Sequence, residues 1–173
     1  MAESTPALTH VDASGAARMV DVSAKASTVR EAVAAGRVLV SSEVLALLRG
    51  DGVPKGDALG VARVAGIMAA KRTPDLVPLC HPIALSGVVV DLEVTDEAVE
   101  VTATVRTTDR TGVEMEALTA VAVAGLALVD MIKAVDRSAV ITDIRVVSKA
   151  GGRSGTWRRA EAGPTAGNET SDS

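Results

Sequence analysis

The sequence predicts an α+β protein with an antiparallel sheet covered by helices on one face. Three observations lead there. Two neighbouring segments near the middle alternate apolar and polar residues with a period of two, as half-buried strands do. A long apolar segment further on, charged at both ends, has the length of a helix. Strand patterns lie next to strand patterns, with helical patterns inserted between pairs, which is the arrangement of α+β rather than α/β proteins.

The elements follow in chain order. Residues 1–8 have little to bury and residues 156–173 are rich in Ala, Gly, Glu and Ser, so both are expected to be disordered tails around one domain at 9–155. Residues 18–24 and 29–40 contain apolar alternation and are expected as strands, although 30–35 reads equally well as helix. Ser42 opens a short helix through Leu48, ended by Gly50-Asp51-Gly52. Asp57 caps a second helix running to about Lys71 and stopped by Pro74, with the loop Val53-Pro54-Lys55-Gly56-Asp57 between the two. Val88, Val90, Leu92 and Val94 share one strand face, and Val99, Val101, Ala103 and Val105 share another, with a hairpin turn at 95–98. A helix over 113–135 and a strand over 141–148 complete the domain, before Gly151-Gly152-Arg153-Ser154-Gly155.

Composition narrows the functions available. The chain has 173 residues, a length suited to a single domain. Hydrophobic residues make up 47% of it, yet there is no Phe or Tyr and only one Trp, so the core must be built from small aliphatic side chains. Each of these buries little area, which points to subunit association as a further source of stability. A net charge of −4 and the lack of aromatic stacking platforms argue against nucleic acid as a partner. Glu3 and the absence of an apolar h-region argue against a signal peptide. No stretch is expected to reach the ~18 to 20 apolar residues of a membrane span. These readings place the protein in the cytoplasm. Cys80 has no second cysteine to pair with, and with only His10 and His81 beside it a zinc site within one chain is not expected.

Candidate chemistry lies at a few places, each with a plainer alternative. Pro78-Leu79-Cys80-His81-Pro82 holds an imidazole between prolines, either to present it in one orientation or as a rigid turn with an incidental His. Lys55 precedes a helix, where it either meets phosphate or is simply solvated. Thr111 and Glu114 have the spacing of a capping box, so Glu114 has a structural explanation, whereas Glu116 has only the helix dipole. Met115 at such a position is most often core. Asp130 and Lys133, one helical turn apart, form either a surface ion pair or an acid and base in a pocket. Lys149 and the glycine-rich segment after it offer backbone donors and cations, or a mobile strand exit.

Seven segments together resemble one family. They are Leu8-Thr9-His10-Val11-Asp12, Met19-Val20-Asp21-Val22-Ser23-Ala24-Lys25, Lys55-Gly56-Asp57, Ala69-Ala70-Lys71-Arg72-Thr73, Pro78-Leu79-Cys80-His81-Pro82, the run from Thr111 to Thr119 (Thr-Gly-Val-Glu-Met-Glu-Ala-Leu-Thr), and Asp130-Met131-Ile132-Lys133-Ala134-Val135. In this order they resemble the cyclic pyranopterin monophosphate synthase family, molybdenum cofactor biosynthesis protein C, over about residues 8–155.

The resemblance implies a ferredoxin-like fold and a homohexamer built as three dimers. It implies a lyase that converts (8S)-3′,8-cyclo-7,8-dihydroguanosine 5′-triphosphate, made from GTP by a radical-SAM partner enzyme, into cyclic pyranopterin monophosphate and diphosphate. By the same resemblance Asp130, Lys133 and Lys55 are catalytic. Leu79, Cys80, His81, Met115 and Glu116 bind substrate, and Lys25, Arg30 and Lys149 are further basic residues of the pocket. Arg153 stands where the family often has lysine. No cofactor is expected, and any Mg²⁺ would travel with the triphosphate.

The available groups suit that chemistry. Rebuilding a purine-derived ring as a pterin moves protons on and off nitrogen and oxygen, which Asp130 and Lys133 can relay. Expelling diphosphate accumulates negative charge that Lys55, Lys149 and a protonated His81 can meet. Glu116 and Asp130 lie fourteen positions apart, ~21 Å along a helix, so if both serve one small substrate the pocket must be shared by two subunits. The rival reading is an oligomeric nucleotide-binding protein without turnover, which would bind a guanine-derived triphosphate and release no diphosphate.

Overall fold

The computed structural model describes residues 11–12, 14–50 and 53–160. Among them the elements run β1 (Thr28–Leu39), α1 (Ser42–Arg49), α2 (Ala58–Ala70), α3 (Thr73–Leu76), β2 (Leu85–Val94), β3 (Ala98–Asp109), α4 (Glu114–Ile132), β4 (Val140–Ala150) and β5 (Trp157–Arg158). The sheet order is β2-β3-β1-β4-β5 and every pairing is antiparallel. Without β5, this is the βαββαβ order of a ferredoxin-like α+β fold, as expected from the sequence.

The central strand β1 pairs along its length with β3 and β4, which decides residues 30–35 in favour of strand over helix. Its inward face carries Ala32, Ala34, Gly36 and Val38, all buried. On β3 the matching face carries Val99, Val101, Ala103 and Val105, and on β2 it carries Val90, with Val88, Leu92 and Val94 packed partly buried beside it. Both predicted alternations therefore face the helices. α4 lies on β1, β3 and β4, while α2 packs on α4 and β2.

Small residues set the distance between these layers. A Cβ at Gly66 on α2 would stand 2.8 Å from the Ala120 carbonyl oxygen of α4, and one at Gly36 would stand 2.8 Å from Val121 Cγ1. A core lacking Phe and Tyr closes by bringing backbones together in this way. By length and composition α4 is long and apolar enough to cross a membrane, with mean hydropathy 1.8, contrary to the shortfall expected from the sequence. Half of that window is buried, because its inward side covers the sheet.

The helix boundaries have local causes. Ser41 caps α1 by accepting from the Val44 N–H, and Asp57 caps α2 by accepting from the Gly60 N–H at 2.7 Å. Pro74 stops α2 but also opens the short α3, where the missing proline N–H is harmless at the first turn. At the far end of α4 the buried carboxylate of Asp136 accepts from Ser41 N at 2.7 Å and from Ser138 N at 2.8 Å, tying the α1 entry to the α4 exit.

Two further expectations are corrected. Residues 18–24 form no strand; the segment turns, with Lys25 N–H donating to the Val22 carbonyl, and Val20 and Val22 line a cavity instead of a ladder. At the other end, Trp157 and Arg158 pair with Lys149 and Ser148, so the segment read as a tail from 156 begins as a strand. His10 and residues 161–173 lie outside the described residues.

Candidate active site

Two clusters of the candidate residues occupy opposite ends of α4. At its C-terminal end Lys133 Nζ lies 2.6 Å from Asp130 Oδ1. Lys55 Nζ donates to the Asp130 main-chain carbonyl at 2.7 Å and lies 3.3 Å from Oδ2. Lys55 reaches this point from the tip of a tight turn, in which Gly56 N–H donates to the Val53 carbonyl at 2.9 Å with Pro54 preceding the lysine. Hydrogen bonds from Lys133 and then Lys55 hold the Asp130 carboxyl below its ordinary range, so it is an ionised acceptor between two ammonium groups. The three side chains remain 39 to 60% exposed, leaving room for a ligand or a neighbouring subunit.

At the N-terminal end the capping-box expectation fails. Val113 is the N-cap and makes no side-chain cap bond, and Glu114 is the first helical residue. Its carboxylate instead meets Lys149 Nζ at 3.2 Å, while Lys149 also donates to Ser154 Oγ at 2.9 Å. Glu116 turns inward, is 2% exposed, and has an Oε2 with no hydrogen-bond partner among the described residues. Burial, assisted by the charge of Glu114, pushes its carboxyl up to about 7. An acid of that strength can hold or release a proton near neutral pH, which suits exchange with a heterocycle.

A cavity of about 410 Å³ opens over this carboxyl, lined by Leu79, Cys80, His81, Met115 and Glu116 together with Lys25. Met115 is 40% exposed on its wall, not in the core. His81 donates from Nε2 to the Val20 carbonyl at 2.7 Å, which fixes the ring and holds the turning segment in place. Burial and then the nearby Glu116 push the Cys80 thiol up, which favours the neutral thiol over the thiolate on this wall of the cavity.

An adjoining cavity of about 710 Å³ shares Lys25, Thr111 and Gly112 with the first and adds Arg30, Arg110 and Arg153. Arg30 is anchored by Nε to the Asp109 carbonyl at 2.9 Å and by Nη2 to the Arg110 carbonyl at 3.0 Å. Lys149 borders a small recess of about 70 Å³ beside Arg30 and Glu114. The eight residues expected to bind substrate thus gather around one end of α4. Lys55, Asp130 and Lys133 line none of these three cavities and sit at the other end.

Sequence reasoning missed Arg110, Val20 and Val22. The basic residue directly before Thr111-Gly112 was a usable signal for the first. The other two were hidden by an alternation that mimics a strand. Among the described residues no group of three or more His, Cys, Asp or Glu side chains is placed to hold a metal ion.

A family model described as the MoaC family matches residues 19–152, which takes in both ends of α4 and both of the larger cavities except Arg153 and Ser154. This chain belongs to the MoaC family. Relatives named cyclic pyranopterin monophosphate synthase agree. One from a Nocardioides species is 70% identical over 162 residues, covering 92% of this chain and 99% of the relative. One from Streptomyces griseus is 71% identical over 160 residues, covering 92% and 90%. A Mycobacterium tuberculosis protein named cyclic pyranopterin monophosphate synthase 2 is 65% identical over 152 residues, covering 88% and 91%. For a MoaC-family chain, the polarity of α4, with a buried acid at one tip and a clamped carboxylate at the other, is the feature from which the chemistry must be derived.

Proposed function

We propose that this MoaC-family protein is a cyclic pyranopterin monophosphate synthase of molybdenum cofactor biosynthesis, a lyase acting on the cyclised dihydroguanosine triphosphate and releasing diphosphate. In this reading the Lys25/Arg30 cavity receives the phosphates and the Glu116/His81 cavity receives the guanine-derived ring. Asp130 with Lys55 and Lys133 completes the site from a second subunit. The single observation that carries the reading is the placement of eight of the eleven candidate residues around one end of α4 and the other three around the opposite end.

The roles follow from the local chemistry. Asp130, ionised and held between two ammonium groups, takes a proton from the substrate; the Lys133 ammonium gives its own proton to another substrate atom and, now neutral, is reprotonated by Asp130, to which it is directly bonded. Lys55 faces charge developing on phosphate. Neutral Glu116 donates a hydrogen bond to a ring nitrogen or carbonyl, and His81 adds a directed imidazole edge. Any Mg²⁺ arrives with the triphosphate oxygens and water, not in a cage of protein ligands.

Two subunits are required because Glu116 and Asp130 are separated by ~21 Å along one helix, longer than a nucleotide-sized substrate can bridge at both reacting ends. The outer face of α2 supports association: Val61, Val64 and Met68 are 46, 55 and 52% exposed in a row that starts beside Asp57, next to the Lys55 turn. We assign this protein to a homohexamer of three dimers in the cytoplasm, supplied with substrate by the radical-SAM enzyme that cyclises GTP.

The test is direct. Purified protein given the cyclised triphosphate should yield the pterin monophosphate and one diphosphate, identified by mass spectrometry. Tight binding of the triphosphate with no diphosphate release would establish the rival reading, a binding protein without turnover.

A further inference from the structure

The larger cavity is lined by Lys25, Arg30, Arg110 and Arg153, with no Asp or Glu among its described lining residues. Collecting four cations around one space without a compensating carboxylate is unfavourable until an anion arrives. Their commitments differ. Arg30 is bound through Nε and Nη2 to two backbone carbonyls. Lys149, just outside, is engaged by Glu114 and Ser154. Among the described residues the side chains of Lys25, Arg110 and Arg153 make no hydrogen bond or ion pair, so they are the cations free to receive a ligand.

Backbone geometry fixes where Arg153 emerges. Gly152 has φ +71 and lies against the Arg30 guanidinium so closely that a Cβ would collide with it. Gly155 N–H donates to the Gly152 carbonyl at 3.2 Å, and Trp157 and Arg158 then pair with Lys149 and Ser148. The segment carrying Arg153 is therefore the tip of a β4–β5 hairpin, held at both ends and hung over the cavity. Arg110 borders the same cavity from the end of β3: its carbonyl accepts the Arg30 Nη2 bond, and its own N–H donates to Asp109 Oδ1 at 2.6 Å.

We infer that Arg110 and Arg153 are ligands of the departing diphosphate, closing on it from the β3 end and from the β4–β5 hairpin, in addition to Lys25 and Arg30. The inference rests on the proposed synthase reading for the identity of the anion, but the anion site itself is tested without turnover. Planar guanidinium groups present paired N–H donors to adjacent phosphate oxygens, so two uncommitted arginines lining one cavity suit a diphosphate better than a single phosphate.

The experiment is a calorimetric titration of the assembled protein with inorganic diphosphate. R110Q and R153Q should each weaken binding about tenfold, as expected for losing a charge-assisted contact. R153K should recover part of the loss. R49Q, which removes an equal charge at a site bonded to Thr95 and Asp96, should bind as the wild type does. Wild-type affinity should also fall steeply with added salt, a measurement independent of any variant's folding. Wild-type protein that ignores diphosphate, binding that ignores salt, or R110Q and R153Q that lose no more affinity than R49Q would each overturn the assignment. Product formation by the wild type is scored separately. A synthase with unaltered diphosphate binding in both variants loses this inference alone, whereas diphosphate binding without product loses the synthase reading.

Discussion

Lys55 and Asp130, seventy-five positions apart in sequence, meet twice: the Lys55 ammonium donates to the Asp130 main-chain carbonyl at 2.7 Å and faces its carboxylate at 3.3 Å. One lysine thus bonds a carbonyl near the end of α4 and orients the acid beside it, joining helix termination to chemistry. Asp130→Asn keeps the size of the side chain but removes the base. It should leave the circular dichroism spectrum unchanged and lower the rate of diphosphate release by about a hundredfold or more. A variant that turns over like the wild type would remove Asp130 from the mechanism.

Glu116 should make stability depend on pH in an unusual direction for a carboxylate. Its folded-state carboxyl is pushed up to about 7 from an ordinary 4.5, so between those values the folded protein holds a proton that the unfolded chain has lost. Stability contributed by this group is complete below about pH 4.5 and is lost as pH rises through about 7. Glu116→Gln should flatten that decline and be more stable than the wild type at pH 8, by on the order of 2 to 3 kcal/mol. Urea unfolding of both proteins at pH 5 and pH 8 checks this; an equal decline in the two would place the effect elsewhere.

The closeness of α2 and α4 predicts a cost for the smallest added side chain. Gly66→Ala puts a methyl 2.8 Å from the Ala120 carbonyl oxygen, with Ala124 and Val90 behind it. Although alanine favours helix, the helices must separate, and we expect a loss of about 1 to 3 kcal/mol in a denaturant titration. An unchanged midpoint would show that the layer spacing adapts freely.

The Asp136 carboxylate should prove structural. It is 6% exposed and holds the Ser41 and Ser138 N–H groups. Asp136→Ala leaves those donors without their acceptor, and about 2 kcal/mol of stability should go with it. Thermal unfolding would report the loss, and a midpoint equal to that of the wild type would contradict it.

Much of this architecture was legible from periodicity. Strands β2 and β3 and the inward faces of both could be read from alternating valines, because one side of the sheet meets helices and the other does not. Caps at Asp57 and the span of α4 were equally visible, since their signals are local. Residues 18–24 misled for a physical reason: Val20 and Val22 alternate because they line a cavity, and the His81 side chain supplies a bond to the Val20 carbonyl that a neighbouring strand would otherwise make. The capping-box pattern at Thr111 failed because Glu114 pairs with Lys149, a residue brought near only by the sheet. Arg110 had only its position directly before Thr111-Gly112 as a local signal. Its place in the cavity depends on where β3 ends relative to the β4–β5 hairpin.

The proposed chemistry requires the two tips of α4 from different subunits to serve one substrate. Asp130→Ala and Glu116→Ala chains, each inactive alone, should be unfolded together, refolded as mixed oligomers and assayed for pterin formation. Shared sites predict recovered activity, because some pockets then combine an intact Glu116 end with an intact Asp130 end. Mixed oligomers that form but stay as inactive as either parent would contradict it.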